Sequence, residues 1–294
     1  NLVYIGRAAF QCCYSLTSVN LPDSVEYIGD FAFNHCSAVD CELFKLPASL
    51  ISIGKYHHYP AHAFYDFGTD SFTEFIIDES SQHYKTIDGI LYTKDGRTLI
   101  SIPRGKEFSN GVYEIPNSVV NLGELSFSRN DNIKEILLPD NLVVDPLQNN
   151  YEKASYINSG NDLSVACYLY SDVEKYLVRD TNNRYRSVDG ILYTKDLTHL
   201  VAIPNNYTGD VVIPDGVLYW DDEAIWTEVD AGLDKILNHI TSIHIPRSMI
   251  SIGDAKIDEI NSIVDYYGTT IMVDSNSQYF STKEDGYFSH LYKF

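Results

Sequence analysis

The 294-residue sequence lacks the runs that would place it inside a membrane or on nucleic acid. No stretch approaches the roughly 18 consecutive apolar residues of a spanning helix. Lysine and arginine form no cluster, and 21 basic side chains stand against 41 acidic ones, a formal net charge of −20. This charge repels phosphate backbones and anionic lipids. We therefore predict no nucleic-acid partner and no membrane insertion by this segment.

The common catalytic and cofactor motifs are also missing. The chain has no G-x-S-x-G elbow, no G-x-x-x-x-G-K-[ST] phosphate loop, no G-x-G-x-x-G, no H-E-x-x-H and no EF-hand loop. Its five cysteines are an odd number without C-x-x-C spacing, which argues against a zinc knuckle or a redox motif. We therefore predict no enzyme, no cofactor and no metal site.

A targeting segment is likewise missing from the start of the chain. The first six residues, NLVYIG, lack the basic start and apolar run of a secretory signal. They already belong to a repeat, so we expect this sequence to be a piece of a longer chain.

One repeated unit organises the sequence. YIGRAAFQCC at residues 4–13 returns as YIGDFAFNHC at residues 27–36, an offset of 23 residues. Each copy is followed by an alternating apolar run that ends at a proline, as in residues 16–25 (LTSVNLPDSV). Alternation predicts a half-buried strand, and proline ends it because proline cannot donate to the ladder.

Further copies of both motifs, some of them less exact, occur along the chain. The proline motif recurs at residues 47–50, 116–119, 139–142, 214–217 and 246–249. The Ile-Gly motif recurs at residues 53–54, 122–123 and 252–253, with a worn copy at 220–225. A period of about 20 to 30 residues with one strand per unit is typical of a leucine-rich-repeat solenoid. We predict one α/β solenoid domain over residues 1–294, a β-rich right-handed superhelix.

A second motif interrupts the first. IDGILYTKD at residues 87–95 returns as VDGILYTKD at residues 188–196, an offset of 101 residues. Strand-like runs flank turn residues in each copy, which predicts inserted β-hairpins at about residues 79–111 and 180–210. Residues 273–287 carry a third, eroded copy.

The stretches between clear repeats are predicted to add short helices on the convex side. Residues 147–179, 231–238 and 255–264 have weak repeat character, and several apolar side chains there, together with Ile240, have helical spacing. Cys13 and Cys36 occupy equivalent repeat positions in adjacent coils. Small buried thiols are the favoured interpretation, and a disulfide between them is the alternative.

The two motifs together resemble the BspA-like leucine-rich repeats of bacterial surface proteins. In that family a strand of the form L-x-x-[VI]-x-[IL]-P-x-x-V alternates with an I-G-x-x-A-F-x-x-C turn, and D-G-x-L-Y-x-x-D hairpins occur among the repeats. Cys13 and Cys36 match the cysteine of the turn, whereas Asn130 replaces it in a later copy. The resemblance implies secretion or surface display and adhesion to proteins or cells, and it implies no catalytic residue and no single ligand.

Two clusters are candidates for chemistry. Three histidines among residues 57–62 lie in an insertion of the third Ile-Gly turn, but a metal site needs further convergent ligands. The carboxylates of residues 221–223 lie between Trp220 and Trp226, a combination that glycosidases also use. We favour a solvated loop for the first cluster, and a solvated acidic turn with Trp220 in the core for the second.

The outward side chains of the strands are the predicted binding surface. Side chains alternate along a strand, and neighbouring strands lie about 4.8 Å apart, so equivalent positions form a row. The row consists of the residues two positions before each closing proline, or before the aspartate that replaces it: Asn20, Lys45, Ile76, Glu114, Leu137, Val212 and His244. Two interpretations stay open: the apolar members are exposed for a partner, or the inserted hairpins cover them.

We therefore expect a non-catalytic module, secreted or at the cell surface, that binds a protein or a glycan on a cell or in the matrix. A structural spacer that displays another domain is the alternative. A carbohydrate-active enzyme around Asp222 and Glu223 is the third hypothesis.

Overall fold

The computed structural model describes residues 1–54, 63–123, 126–127, 129–142, 173–220, 239–252, 268–282 and 288–290. These residues form short β-strands and turns, with a 3₁₀ turn at Ser109–Gly111, and no α-helix occurs among them. The chain divides into two compact units. The first is built mainly from Asn1–Lys134, and the second mainly from Glu135–Asp140 and Val173–Phe294.

In the first unit, alternating sequences form strands that end at a proline or an aspartate. These strands are β3 (Leu43–Leu46), β5 (Glu74–Ile77) and β9 (Val112–Glu114). β3 and β5 pair in parallel, with Phe44 opposite Phe75. Their burial alternates as the sequence predicts, because every second side chain enters the core.

The strand predicted from residues 16–21 does not form. Asp40 N–H donates to Thr17 O, and no strand is assigned to residues 16–21. The second coil is two residues longer than the first between its cysteine and its proline. We attribute the missing strand to this difference in length, because a ladder requires neighbours in register.

The Ile-Gly motifs form a second row of two-residue strands. These are β1 (Tyr4–Ile5), β2 (Tyr27–Ile28) and β4 (Ser52–Ile53), which pair in parallel in that order. Their isoleucines are buried. Behind the turns, Phe33 stacks between Phe10 and Phe64, and further phenylalanines pack edge-on around them. The phenylalanines, apart from the exposed Phe10, form the core of the first unit together with aliphatic side chains such as Ile28 and Leu46.

The cysteines of the first two coils are thiols in this structure. Cys36 is buried and its Sγ donates to Phe10 O, while Cys13 is half-buried and Cys12 is exposed. Burial is the main cause that raises the pKa of Cys36 to about 11. The buried thiol is therefore unreactive.

The first predicted hairpin is a three-stranded antiparallel meander. Its strands are β6 (Tyr84–Ile87), β7 (Ile90–Thr93) and β8 (Thr98–Ser101). The last strand also pairs in parallel with β10 (Asn121–Leu122), which carries the next Ile-Gly motif. The meander therefore ends in the position of an Ile-Gly strand.

The second unit repeats this arrangement. β11 (Glu135–Leu138) and β12 (Lys175–Val178) pair in parallel. β13 (Tyr185–Val188), β14 (Ile191–Thr194) and β15 (His199–Ala202) form its meander. β15 pairs in parallel with β17 (Tyr219–Trp220), which in turn pairs in parallel with β19 (Ser251–Ile252).

A second parallel sheet in this unit contains the later strands of the row, which are followed by a proline or by an aspartate. It has the order β16 (Gly209–Val212), β18 (Ile240–Ile245) and β20 (Thr270–Val273). At the end of the chain, β21 (Phe280–Thr282) pairs antiparallel with β22 (Phe288–His290). This pair lies where the eroded third copy of the hairpin motif was predicted.

The prediction of helices is wrong at two places. Residues 175–178, at the end of one predicted helical stretch, are strand β12, and Ile240 begins strand β18. Both segments pair with parallel neighbours, and these cross-strand contacts override a local helical spacing. The rest of the predicted helical segments lies outside the described residues.

Candidate binding surface

The outward positions of the strands are accessible in both units. Asn20, Lys45 and Glu114 are exposed, and Asn20 lies outside any strand. Ile76 is 38% exposed and Val212 is 53% exposed, whereas Leu137 and His244 are half-buried. The inserted meanders therefore leave Ile76 and Val212 uncovered.

Strand pairing brings Lys45 and Ile76 together in the first unit. They lie opposite each other in the parallel pair β3–β5. Lys45 Nζ also lies 3.7 Å from Asp23 Oδ1, but both side chains are largely exposed. An ion pair so open to water contributes little to stability, so Lys45 can exchange it for a partner.

Two members of the row in the second unit were missed by sequence reasoning. Leu177 lies opposite Leu137, and Met272 lies opposite His244, which itself lies opposite Val212. Arg179 and Asp274 replace the closing prolines after Leu177 and Met272. The signal that could have found them is their place in short apolar runs, residues 176–178 and 271–273, two positions before the residue that replaces the proline.

A chain of hydrogen bonds crosses the outward face of β16 and β18. Asp210 Oδ1 accepts from Ser242 Oγ at 2.6 Å and from Thr241 Oγ1 at 2.5 Å. Ser242 Oγ lies 3.0 Å from His244 Nε2. These hydroxyls, Ser242 first, lower the pKa of Asp210, so it is a carboxylate at neutral pH.

A cleft of about 490 Å³ lies near the end of β5 in the first unit. Its lining residues are Ile77, Asp78, Glu79, Lys85, Thr86 and Lys94. Two carboxylates face two ammonium groups there, and Lys94 Nζ already donates to Glu79 O at 2.8 Å. With no excess of either charge, this cleft gives no reason to prefer an anionic or a cationic ligand.

An ionic cluster connects the turns of the first unit. Asp66, whose side chain is 13% exposed, lies 2.9 Å from His35 Nδ1 and 3.1 Å from an Arg104 nitrogen. Arg104 also reaches Asp70 at 2.8 Å, and Arg129 Nε lies 3.9 Å from Asp66. The charges are paired with one another, so we assign the cluster to turn stability.

The two chemical candidates from the sequence fall outside the described residues, except for Trp220. The histidines of residues 57–62, the carboxylates of residues 221–223 and Trp226 are not described. Trp220 is buried in the core, as predicted. Within the described ranges, no group of three or more His, Cys, Asp or Glu side chains could hold a metal ion.

The repeat geometry agrees with a known family. Six copies of the BspA type leucine rich repeat region match residues 1–86 and 108–155. This chain carries BspA-type leucine-rich repeats. The resemblance inferred from the Ile-Gly and proline motifs is thereby confirmed, and residues 87–107, between the matches, hold most of the first meander.

Solved structures of leucine-rich-repeat proteins resemble this chain. A leucine-rich cell surface protein from Faecalibacterium prausnitzii matches with a TM-score of 0.50 and 21% identity, over 84% of this chain and 52% of that protein, which supports the fold. The pneumococcal vaccine antigen PcpA matches with a TM-score of 0.45 and 17% identity, over 93% of this chain and 66% of that chain. The chain thus spans about half the length of the Faecalibacterium protein.

No curated protein matches the chain. Among the described residues, no helix has the length and apolar character needed to cross a bilayer.

Proposed function

We propose that this chain is a non-catalytic module, secreted or held at a cell surface, that binds a protein or glycan through its outward strand positions. One observation carries the proposal: apolar side chains stay exposed at equivalent positions of paired strands. Ile76, Val212 and Met272 are 38%, 53% and 42% exposed. They occupy outward positions at which a soluble strand normally carries polar side chains.

Physical chemistry connects this exposure to binding. Covering apolar surface contributes about 25 cal/mol per Å² of area removed from water. A row of such side chains on a rigid sheet supplies this free energy without first ordering a loop. Polar members of the row, Lys45 and Glu114 in the first unit and His244 in the second, supply orientation and selectivity within each unit.

The family supports the location and the absence of catalysis. Proteins with BspA-type repeats are in general non-enzymatic surface or binding proteins. The Faecalibacterium protein with a similar fold is described as a cell surface protein. We extend surface display and binding to this chain on that basis.

The test displays the chain on a heterologous bacterium and measures adherence to immobilised extracellular-matrix proteins and to a glycan array. The variant Leu137→Thr/Val212→Thr/His244→Gln is compared with Ile87→Thr, a control at an exposed apolar residue outside the row. We expect the triple variant to lose about ten-fold or more in apparent affinity, and the control to bind as the parent does. Unchanged adherence of the triple variant, or no ligand in either assay, would instead support a structural spacer.

A further inference from the structure

The outward face of the sheet β16–β18–β20 combines a polar centre with an apolar rim. His244 lies in register between Val212 and Met272, both of which are well exposed. Asp210 and Ser242 lie in the neighbouring row. Among the described strands, no other outward row places an imidazole between two exposed apolar side chains.

Hydrogen bonds determine which nitrogen of His244 carries the proton. Ser242 Oγ contacts both Asp210 Oδ1 and His244 Nε2, yet a hydroxyl has one proton to donate. The carboxylate is the stronger acceptor because it is charged. The serine proton therefore goes to Asp210, and His244 donates Nε2–H to Ser242 Oγ.

This arrangement leaves Nδ1 of His244 as a hydrogen-bond acceptor. A neutral imidazole has one donor nitrogen and one acceptor nitrogen. No described residue hydrogen bonds to Nδ1, and the residue is half exposed. The face therefore presents a lone pair between two apolar side chains, and the carboxylate of Asp210 lies on the neighbouring strand.

The surrounding charge and the apolar rim define the chemistry of a ligand. With a net charge of −20, the chain attracts cations and repels anions over a distance. Val212 and Met272 are aliphatic, and methionine adapts its shape to an apolar partner. An exposed apolar patch with polar neighbours is typical of a protein contact.

We propose, on the basis of the function proposed above, that this face binds a protein segment presenting an apolar side chain next to a lysine or arginine. The apolar side chain covers Val212 and Met272. The cationic N–H group donates to His244 Nδ1 and lies close to Asp210.

The first experiment uses a random dodecapeptide library displayed on phage, panned against the full chain. We expect selected peptides to pair an apolar residue with lysine or arginine. Their affinity falls about ten-fold or more for Val212→Ser/Met272→Ser. It stays unchanged for Ile87→Ser, which removes a 38% exposed apolar side chain in the first unit. Circular dichroism of each variant verifies that it is folded.

The second experiment separates the Nδ1 contact from a structural role of His244. In His244→Gln the amide retains a donor near the Nε2 position and removes the acceptor at Nδ1, whereas His244→Asn retains an acceptor near Nδ1. We expect about a ten-fold loss of peptide affinity for Gln and a clearly smaller loss for Asn. The opposite order would overturn the Nδ1 contact, because it would mean that the bond to Ser242 is what matters.

The remaining outcomes distinguish this inference from the proposed function. If Ile76→Ser abolishes peptide binding while Val212→Ser/Met272→Ser does not, the outward row binds but this site is wrong. If the face instead binds neutral sugars on a glycan array, and loses them in the same variants, the partner class is wrong and the proposed function stands. If neither peptides nor sugars bind the parent chain, both proposals fail.

Discussion

The two meanders have nearly the same backbone but differ in the side chains that complete them. β6–β8 and β13–β15 have equivalent registers at an offset of 101 residues, with the same irregularity between the second and third strands. In both, an Asp-Gly turn joins the first two strands, and its two residues have positive φ. These are the torsions of a type I′ hairpin, so the turn sequence accounts for the shared geometry.

The first difference lies in the core. Tyr92 Oη lies 2.6 Å from Tyr113 Oη, and both rings are buried. In the second copy, Val211 occupies the position of Tyr113, and the buried hydroxyl of Tyr193 has no hydrogen-bond partner among the described residues. Burial raises the pKa of Tyr92 to about 12, and raises that of Tyr193 further.

The second difference lies in the outer turn. Gly96 has φ +72°, and Leu197 occupies the equivalent position with φ +63°. The aspartates before them, Asp95 and Asp196, accept hydrogen bonds from a threonine hydroxyl and a backbone N–H, which lowers their pKa values. The aspartate therefore preserves the turn even where leucine replaces the glycine.

The largest expected effect tests the shared Asp-Gly turn. A Cβ at Gly190 would lie 2.7 Å from Lys175 Cγ at φ +84°, whereas a Cβ at Gly209 meets nothing within 4 Å at φ +94°. We expect Gly190→Ala to lower the free energy of unfolding by about 3 kcal/mol, from backbone strain plus steric overlap. Gly209→Ala should cost about 1 kcal/mol from strain alone. Urea unfolding measures both, and equal losses would show that contact with Lys175 is unimportant.

The next prediction concerns the two buried tyrosines, of which Tyr92 has a hydrogen-bond partner and Tyr193 has none among the described residues. Tyr92→Phe leaves the Tyr113 hydroxyl buried without its partner, so we expect a loss of about 2 kcal/mol. Tyr193→Phe removes a hydroxyl that already lacks a partner among the described residues, and we expect a change of about 0 to 1 kcal/mol in the stabilising direction. Thermal unfolding of the two variants checks the signs. Similar losses would show that Tyr193 has a partner after all.

The smallest expected effect concerns the outer turn. Leu197→Gly should raise the free energy of unfolding by about 1 kcal/mol, because a residue with a Cβ is strained at positive φ. Gly96→Leu should lower it by a similar amount, because the leucine would be strained at φ +72°, whereas Lys85 Nζ, 2.7 Å from a Cβ at this position, can move away at little cost. Urea midpoints of the two variants provide the measurement. A destabilised Leu197→Gly would mean that the leucine side chain contributes more through packing than it costs in strain.

Local patterns in the sequence predict which side chains of β3 and β5 point outward. Alternation puts Phe44 and Phe75 in the core, and therefore Lys45 and Ile76 outside, whatever the neighbouring coils do. The aspartate after Ile77 even substitutes for the proline without hiding the strand. The alternation of inward and outward side chains depends on the strand alone. It is therefore kept where the rest of the repeat sequence has diverged.

Features that depend on register between coils escape the sequence. Residues 16–21 have a strand pattern but no partner in register, so they form no strand. The hydrogen bonds that connect Asp210, Ser242 and His244 depend on a register shift between β16 and β18. Gly209 lies opposite Ile240, but the next residue, Asp210, lies opposite Ser242. No spacing along one segment encodes such a pairing.

β8 pairs in parallel with β10, and β15 pairs in parallel with β17. These pairs limit the number of strands that an insertion between two repeats can contain. An excursion made of two extra antiparallel strands brings the chain back in its original direction, and its exit strand rejoins the existing ladder. One extra strand would return the chain in the opposite direction and break that ladder. Insertions in this protein class are therefore expected to come in pairs of strands, and the meander sites are natural places to graft new binding loops.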